Sequence, residues 1–310
     1  MLSYIIRRLL VSIPVVCGVA TIVFVLMFII PGDPVRLMLG QRSDPEAAAA
    51  IRTEMGLDKP LPVQYGKFMA HLFTGNLGYS YVKHRKVTAM LLERLPATLS
   101  LGFASVIIAV LIGIPAGIIA AVRQNKFLDG AVMTVSLLGV STPVFWLSMM
   151  MMLIFSVQLG WFPVSGYGPG KFNIKYLVLP ALSLSAISIG YISRITRSSM
   201  LEVLNQDFMR TARAKGLRGS AVVLRHGLKN ALIPVVTVVG INSANVLGGA
   251  VATETVFAWP GIGRAVVDAL RVRDLPVVEG GVILLAMGFV LANLIVDVSY
   301  AFLDPRVRLE

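Results

Sequence analysis

Charge is what this sequence has least of. Only 14% of its 310 residues are Asp, Glu, Lys or Arg, against roughly a quarter in a soluble domain. Hydrophobic residues reach 56% and mean hydropathy is +0.79, which excludes a soluble globular chain and indicates a polytopic membrane protein. Acidic residues are scarcer than basic ones, 16 against 28, for a net charge of +12. Lys and Arg gathered beside apolar segments account for that excess, and no nucleic acid is needed to explain it. Cysteine occurs once, at Cys17 inside an apolar run, so no intramolecular disulfide can form. The three histidines, His71, His84 and His226, are scattered without metal-ligand spacing. H-E-x-x-H and G-x-S-x-G are both missing, which argues against an intramembrane hydrolase. The phosphate-cradling G-x-x-x-x-G-K-[ST] is missing too, since Gly170-Lys171 is followed by Phe172. If ATP drives this protein, another polypeptide holds it.

Ionisable groups are nearly missing from the apolar segments as well. Asp297, well inside the last segment, is the clear exception, and Glu254 sits at an outer margin. A carboxylate in a membrane is a functional candidate by default, but one alone forms no proton relay, and there is no internal repeat of the kind secondary carriers show. A carrier working alone is therefore the weaker reading.

What the chain does have is apolar length. Leu9 to Ile30, with Arg7 and Arg8 just before it, is longer than a signal-peptide core and predicts an uncleaved first transmembrane helix. Five more runs near the ~20 residues needed to cross the hydrocarbon lie at about 97–122, 131–158, 175–193, 231–252 and 278–302. The expected fold is an all-α polytopic membrane protein with six transmembrane helices. It divides into 1–30, the tail and first helix; 31–96, an extracytoplasmic loop with two short helices; and 97–310, a five-helix core containing a basic loop at 194–230. Pro115, Pro143 and Pro180 predict kinks.

In the long loop, Ser43-Asp44-Pro45-Glu46 reads as a helix start that Gly56 would close. A second helix, about Pro62 to Thr74, carries Tyr65, Phe68, Met69, Leu72 and Phe73 on one stripe. That stripe suits packing on the rest of the protein or lying in the interface; its other reading is a platform for an external solute-delivery protein. Six spans put both termini on one side. That side holds fourteen Lys/Arg, and it leads once the long loop is set aside as too long for the positive-inside rule to count. Both termini are therefore expected in the cytoplasm.

Small neutral polar residues populate the spans: Ser136, Ser141 and Thr142, then Ser183, Ser185 and Ser188, then Asn242, Asn245 and Asn293. Helix–helix hydrogen bonding explains most such residues. Ser141, Ser183, Ser185, Ser188, Asn242 and Asn245 are the candidates for lining a solute pathway. Gly113-x-x-x-Gly117 reads as a packing notch.

The basic loop is the most informative stretch. Residues 194–234 carry eight Lys/Arg against two acids. Asp207 reads as an N-cap, Phe208 to Lys215 as two helical turns, and Gly216 as the C′ stop. Leu201, Leu204, Phe208 and Ala212 fall at helical spacing, with Arg210 and Arg213 turned elsewhere. A second helix is expected to start after Ser220 and run through Pro234 into the next span. By charge alone this is a loop that fixes orientation and touches lipid; by shape it is a docking helix for a soluble partner.

Arg210-Thr211-Ala212-x-x-x-Gly216, then Ala231-Leu232-Ile233-Pro234, resembles the cytoplasmic EAA loop of ABC-importer permeases. Arg210 and Thr211 stand where the general motif has Glu and Ala. The likeness extends along the chain through Pro31-Gly32-Asp33-Pro34, Leu57-Asp58-Lys59-Pro60-Leu61 and Glu93-Arg94-Leu95-Pro96-Ala97-Thr98-Leu99. It continues with Phe257-x-Trp259-Pro260-Gly261-Ile262-Gly263, Arg273-Asp274-Leu275-Pro276-Val277-Val278 and Leu303-Asp304-Pro305-Arg306. Together these resemble the B-type permease subunit of the dipeptide/oligopeptide/nickel ABC importer family. That resemblance implies a bacterial inner membrane, a second homologous permease, an external solute-binding protein, and two ATPase subunits holding ATP and Mg, with no cofactor on this chain. It also implies that Phe208, Arg210, Thr211, Ala212, Arg213, Lys215 and Gly216 form the ATPase-docking helix. A membrane scaffold that recruits a soluble partner without moving solute is the alternative from another class.

Overall fold

The computed structural model describes residues 2–29, 46, 49, 52, 53, 58–80, 82–168 and 172–303. The Ser43-Asp44-Pro45 helix start, its Gly56 stop, Leu57, and the motifs at Pro31–Pro34 and Asp304–Arg306 lie outside them, as does the side chain of Asp297. In chain order the helices are α1 (Leu2–Ile29), α2 (Leu61–Phe73), α3 (Val87–Val122), α4 (Phe127–Ser141), α5 (Val144–Met151), α6 (Ile174–Leu204), α7 (Asp207–Ala214), α8 (Gly219–Ala221), α9 (Lys229–Val256), α10 (Ile262–Arg271) and α11 (Leu275–Leu303). The π-helical turns Met152–Gln158 and Val222–Leu228 extend α5 and join α8 to α9. Strands β1 (Tyr79–Ser80) and β2 (Arg85–Lys86) form a small antiparallel hairpin.

Among the described residues, five helices are long and apolar enough to cross a membrane: Ile6–Leu26, Val87–Val122, Ile174–Leu204, Gly219–Val246 and Leu275–Val296. The run expected at 131–158 is not one rod. Phe127–Ser141 and Val144–Gln158 meet at 111°. Pro143 is the cause: its ring disfavours an α-helical residue before it and supplies no N–H. Thr142 is accordingly extended, with φ −86° and ψ 128°. Counted as one broken span, the pair brings the total to six. Pro180 and Pro234, by contrast, sit inside unbroken helices.

Contacts cluster into two units, Leu2–Thr98 with Pro260–Val290, and Leu99–Trp259 with the chain from Leu291. The boundary expected near 96 therefore falls within α3, which starts ten residues earlier than the hydropathy run. In the larger unit α6 is the hub, packed against α4, α5 and α9. Its approach to α3 is set by glycine: a Cβ on Gly117 would lie 2.5 Å from Thr196 Cβ and 2.6 Å from the Ser193 carbonyl oxygen. Gly113 meets Ile192 in the same way, so Gly113-x-x-x-Gly117 is a packing notch between two spans. Gly190 plays that part on the other side of α6, against Ser136 and Val140 of α4.

The smaller unit has its own core of Val87, Leu91, Ile262, Ala265, Val266, Ala269 and Val277. Thr98 Oγ1 accepts from the Ile262 N–H at 2.9 Å, satisfying one of the open donors at the start of α10. Helix α2 rests on α1 through Phe24, whose ring lies 5.3 Å from Tyr65 and 5.4 Å from Phe68. A 2.8 Å hydrogen bond between the Thr21 and Tyr65 hydroxyls adds to this. The apolar stripe expected on this helix is in part a packing stripe.

Candidate coupling site

Helix α6 ends because Gln206 is extended, with φ −76° and ψ 154°, and α7 starts afresh at Asp207. The cap is thus one residue earlier than expected. Asp207 occupies the first turn, where a carboxylate favours the positive end of the helix dipole. Its 3.5 Å pair with Arg210 is exposed on both sides and adds little. At the other end Gly216 adopts φ +75° as the C′ residue, and its N–H donates to the Arg213 carbonyl at 3.0 Å. Nothing crowds its Cβ position, so glycine is required there by backbone conformation alone.

The new start resets the helical phase. Leu201 and Leu204 belong to α6, and Phe208 is 40% exposed rather than continuing their stripe. The buried pair of α7 is Met209, with no exposed surface, and Ala212, an i,i+3 couple. They enter a core made by Ala121 of α3, Met200 and Val203 of α6, Val222 of the π-helical turn and Ala231 of α9. Gly227 leaves room for them, since a Cβ there would sit 3.3 Å from Met209 Cε and 3.4 Å from Met200 Cε. Three spans therefore converge under an eight-residue helix. The opposite face shows Phe208, Arg210, Thr211, Arg213 and Lys215 to solvent. Beside it a cavity of about 410 Å³ is lined by Val122, Arg213, Gly219, Ser220, Val222, Val223 and Leu224. Such an arrangement links an exposed short helix to the packing of three spans.

Sequence reasoning missed Met209, although its i,i+3 spacing from Ala212 was the signal available. It also missed the ion pair that ties α4 to α6. Arg197 Nε and an Nη donate to the two Asp129 oxygens at 2.5 and 2.7 Å, and the Asn125 N–H adds a third bond at 3.0 Å. Asp129 is buried, and its guanidinium partner is 25% exposed.

The pathway candidates fall in different places. Ser183 is buried, accepts from the Ser148 hydroxyl at 3.0 Å and donates to the Pro180 carbonyl at 2.9 Å. Ser185, also buried, donates to the Leu182 carbonyl, and Ser188 is 5% exposed. Ser136 and Ser193 share a 2.6 Å bond between α4 and α6. Asn242 is half-buried and donates back to the Val238 carbonyl, whereas Ser141 and Asn245 are exposed. The Trp259 turn is anchored by Tyr167, whose ring lies 4.6 Å from the buried indole.

Residues 113–309 match the family described as binding-protein-dependent transport system inner membrane component, and residues 1–102 match the N-terminal segment of such membrane components. The chain belongs to this family. It is a multi-pass permease component of the inner membrane. The dipeptide transport system permease protein DppB of Alkalihalophilus pseudofirmus is 42% identical over 99% of this chain and 100% of its own. The di/tripeptide transport system permease protein DppB of Pseudomonas aeruginosa is 44% identical over 99% of each. The glutathione transport system permease protein GsiC of Salmonella typhimurium is likewise 44% identical over 99% of each. Among solved structures, a chain of the inward-facing MetNI methionine ABC transporter matches 69% of this permease and 96% of itself, with a TM-score of 0.55 at 19% identity. That likeness concerns the fold alone, and it agrees with a helical ABC-transporter membrane subunit.

Proposed function

We propose that this permease imports short peptides or a related small solute, glutathione among them, as one half of a permease pair driven by two ATPase subunits. The second half is a homologous permease, ATP and Mg sit on the ATPase subunits, and an external solute-binding protein delivers cargo. Both termini and the 194–230 loop face the cytoplasm, and residues 31–96 face out. Phe208, Arg210, Thr211, Arg213 and Lys215 meet the ATPase, with the cavity at Arg213 and Val222 receiving part of it. Ala212 seats the helix from beneath, and Gly216 shapes its end. Closure of the ATPase pair would push α7, and α3, α6 and α9 would carry that push to the spans as a two-state shift. Ser141 and Asn245, exposed on this chain, are the better placed of the pathway candidates.

The observation that supports this reading is the two-faced α7, buried at Met209 and Ala212 over three spans and bare and basic on the other side. Reconstitution tests it. Proteoliposomes with both permeases, the ATPases and the binding protein should take up labelled dipeptide with ATP. Arg213→Glu should lower ATPase association and uptake together. Uptake by this chain alone would favour the lone carrier, and partner recruitment without any flux would favour the scaffold.

A further inference from the structure

The positive-inside rule leaves a question at the β-hairpin. Residues 31–96 carry nine Lys/Arg, and four of these lie just before α3 or in its first turns, at Lys83, Arg85, Lys86 and Arg94. Positive charge bears on orientation within about 15–20 residues of a span's end, so cations at that distance on the outer side call for another use. Helix α2 is not where they gather. The hairpin is, and it is held rigidly. The Ser80 hydroxyl donates to Asp274 Oδ2 at 2.5 Å, and the Lys83 N–H donates to Ser80 Oγ at 3.0 Å. Ser80 and Asp274 are both buried. The Val87 N–H closes the hairpin base on the Gly78 carbonyl at 3.1 Å. His84 takes φ +53° at the tip.

The buried Ser80–Asp274 bond joins the hairpin to the α10–α11 turn, so Arg271 and Arg273 belong to the same platform. All of Lys83, His84, Arg85, Lys86, Arg271 and Arg273 are exposed. Two have acidic neighbours: Arg85 pairs with Glu93, and Arg271 lies 4.0 Å from Asp268. Among the described residues, Lys86 and Arg273 form no ion pair, and Lys83 makes no direct one, although the buried Asp274 carboxyl feels its charge. Exposed Val82 and Val272 lie among these charges. Exposed apolar side chains beside arginines, on a backbone fixed by buried hydrogen bonds, offer a protein partner both apolar contact and charge. A lipid headgroup site would need no such rigidity, because lysines snorkel from mobile segments equally well.

We propose that the hairpin Tyr79–Lys86 and the turn Arg271–Asp274 form a cationic platform that receives an acidic face of the external binding protein. The proposal rests on the outward placement of residues 31–96 given above. Exposed cations of this kind act chiefly on the encounter rate and its salt dependence.

The test uses the assembled importer in nanodiscs of zwitterionic phosphatidylcholine, with its own binding protein as probe. Reversing Lys83→Glu, Lys86→Glu and Arg273→Glu together should slow association about tenfold at low salt, and the difference should vanish near about 0.5 M salt. The milder Lys83→Gln, Lys86→Gln, Arg273→Gln chain, which removes the charge without reversing it, should show an intermediate loss if the reversal impairs assembly. Unchanged association with an unchanged salt slope would overturn the proposal. So would binding that requires anionic lipid in the disc and ignores the substitutions, which marks a headgroup site. Orientation is checked separately with Lys83→Cys in a Cys17→Ser chain and a membrane-impermeant maleimide. Labelling only from the cytoplasm ends both readings; labelling from outside with unchanged association ends this one alone.

Discussion

Met209→Ala should separate ATP hydrolysis from transport. Met209 is fully buried among Met200, Val203, Val222 and Ala231, and truncating it removes its thioether and leaves a void. Large-to-small changes of this kind cost about 2–5 kcal/mol. An eight-residue helix has no stability of its own, and the only other buried residue of α7 is Ala212, with one methyl to offer. Most of the penalty therefore falls on the seating of α7 and not on the spans. At about 1.4 kcal/mol per tenfold, even ~2 kcal/mol shifts the seated-to-unseated ratio about 30-fold. In proteoliposomes holding the whole importer, solute moved per ATP should fall about tenfold or more, with ATPase activity largely kept. Met209→Leu conserves volume, should cost less than about 1.5 kcal/mol, and should transport nearly as the wild type does. Wild-type coupling in Met209→Ala would refute the reasoning. Equal damage from Leu and Ala would show that packing volume is not what Met209 provides.

Gly117→Ala should sharply reduce folded yield by size-exclusion chromatography, because Thr196 and the Ser193 carbonyl occupy the space its Cβ needs; Gly130→Ala, with open space around it, should not. Asp129→Ala should lower thermal stability by about 3 kcal/mol by stranding a half-buried guanidinium, and Asp129→Leu with Arg197→Met should recover part of it; equal losses would mean the pair is not desolvated. Asp274 gives a pH signature. Burial pushes its carboxyl above the usual range, against the opposing Ser80 hydrogen bond. The folded state therefore holds its proton more tightly, and stability falls as pH rises from about 3.9, the unfolded value, through the folded one. Asp274→Asn should flatten that decline in melts across acidic pH; parallel curves would refute the assignment.

Helix number, the basic loop and the Gly216 stop were legible because each depends on local chemistry: apolar length, charge, and a left-handed residue that favours glycine. The Gly113-x-x-x-Gly117 notch was legible as a type of contact, but its partners Ile192 and Thr196 were not, since they lie some eighty residues away. Pro143 announced a kink; that it became a 111° turn depended on Thr142 going extended. The Asp129–Arg197 bond had no local signal. Asp129 lay at the end of a short polar connection and Arg197 in a cationic stretch, and only the packing of α4 on α6 brings them together.

The phase of α7 is the sharpest case. Read as one continuous helix, Leu201, Leu204, Phe208 and Ala212 make a tidy apolar edge, and Phe208 would then be an anchor. A single extended residue, Gln206, breaks that register and rotates the next eight side chains. Phe208 turns outward and Met209 takes the buried place. A buried Phe208 would leave only polar and charged groups on the exposed face. An exposed aromatic beside Arg210 and Arg213 instead gives that face an apolar contact to desolvate, the kind of anchor from which interfaces draw most of their binding energy. Phe208→Ala should accordingly weaken ATPase association more than Arg210→Ala does, at a salt concentration that screens the arginines.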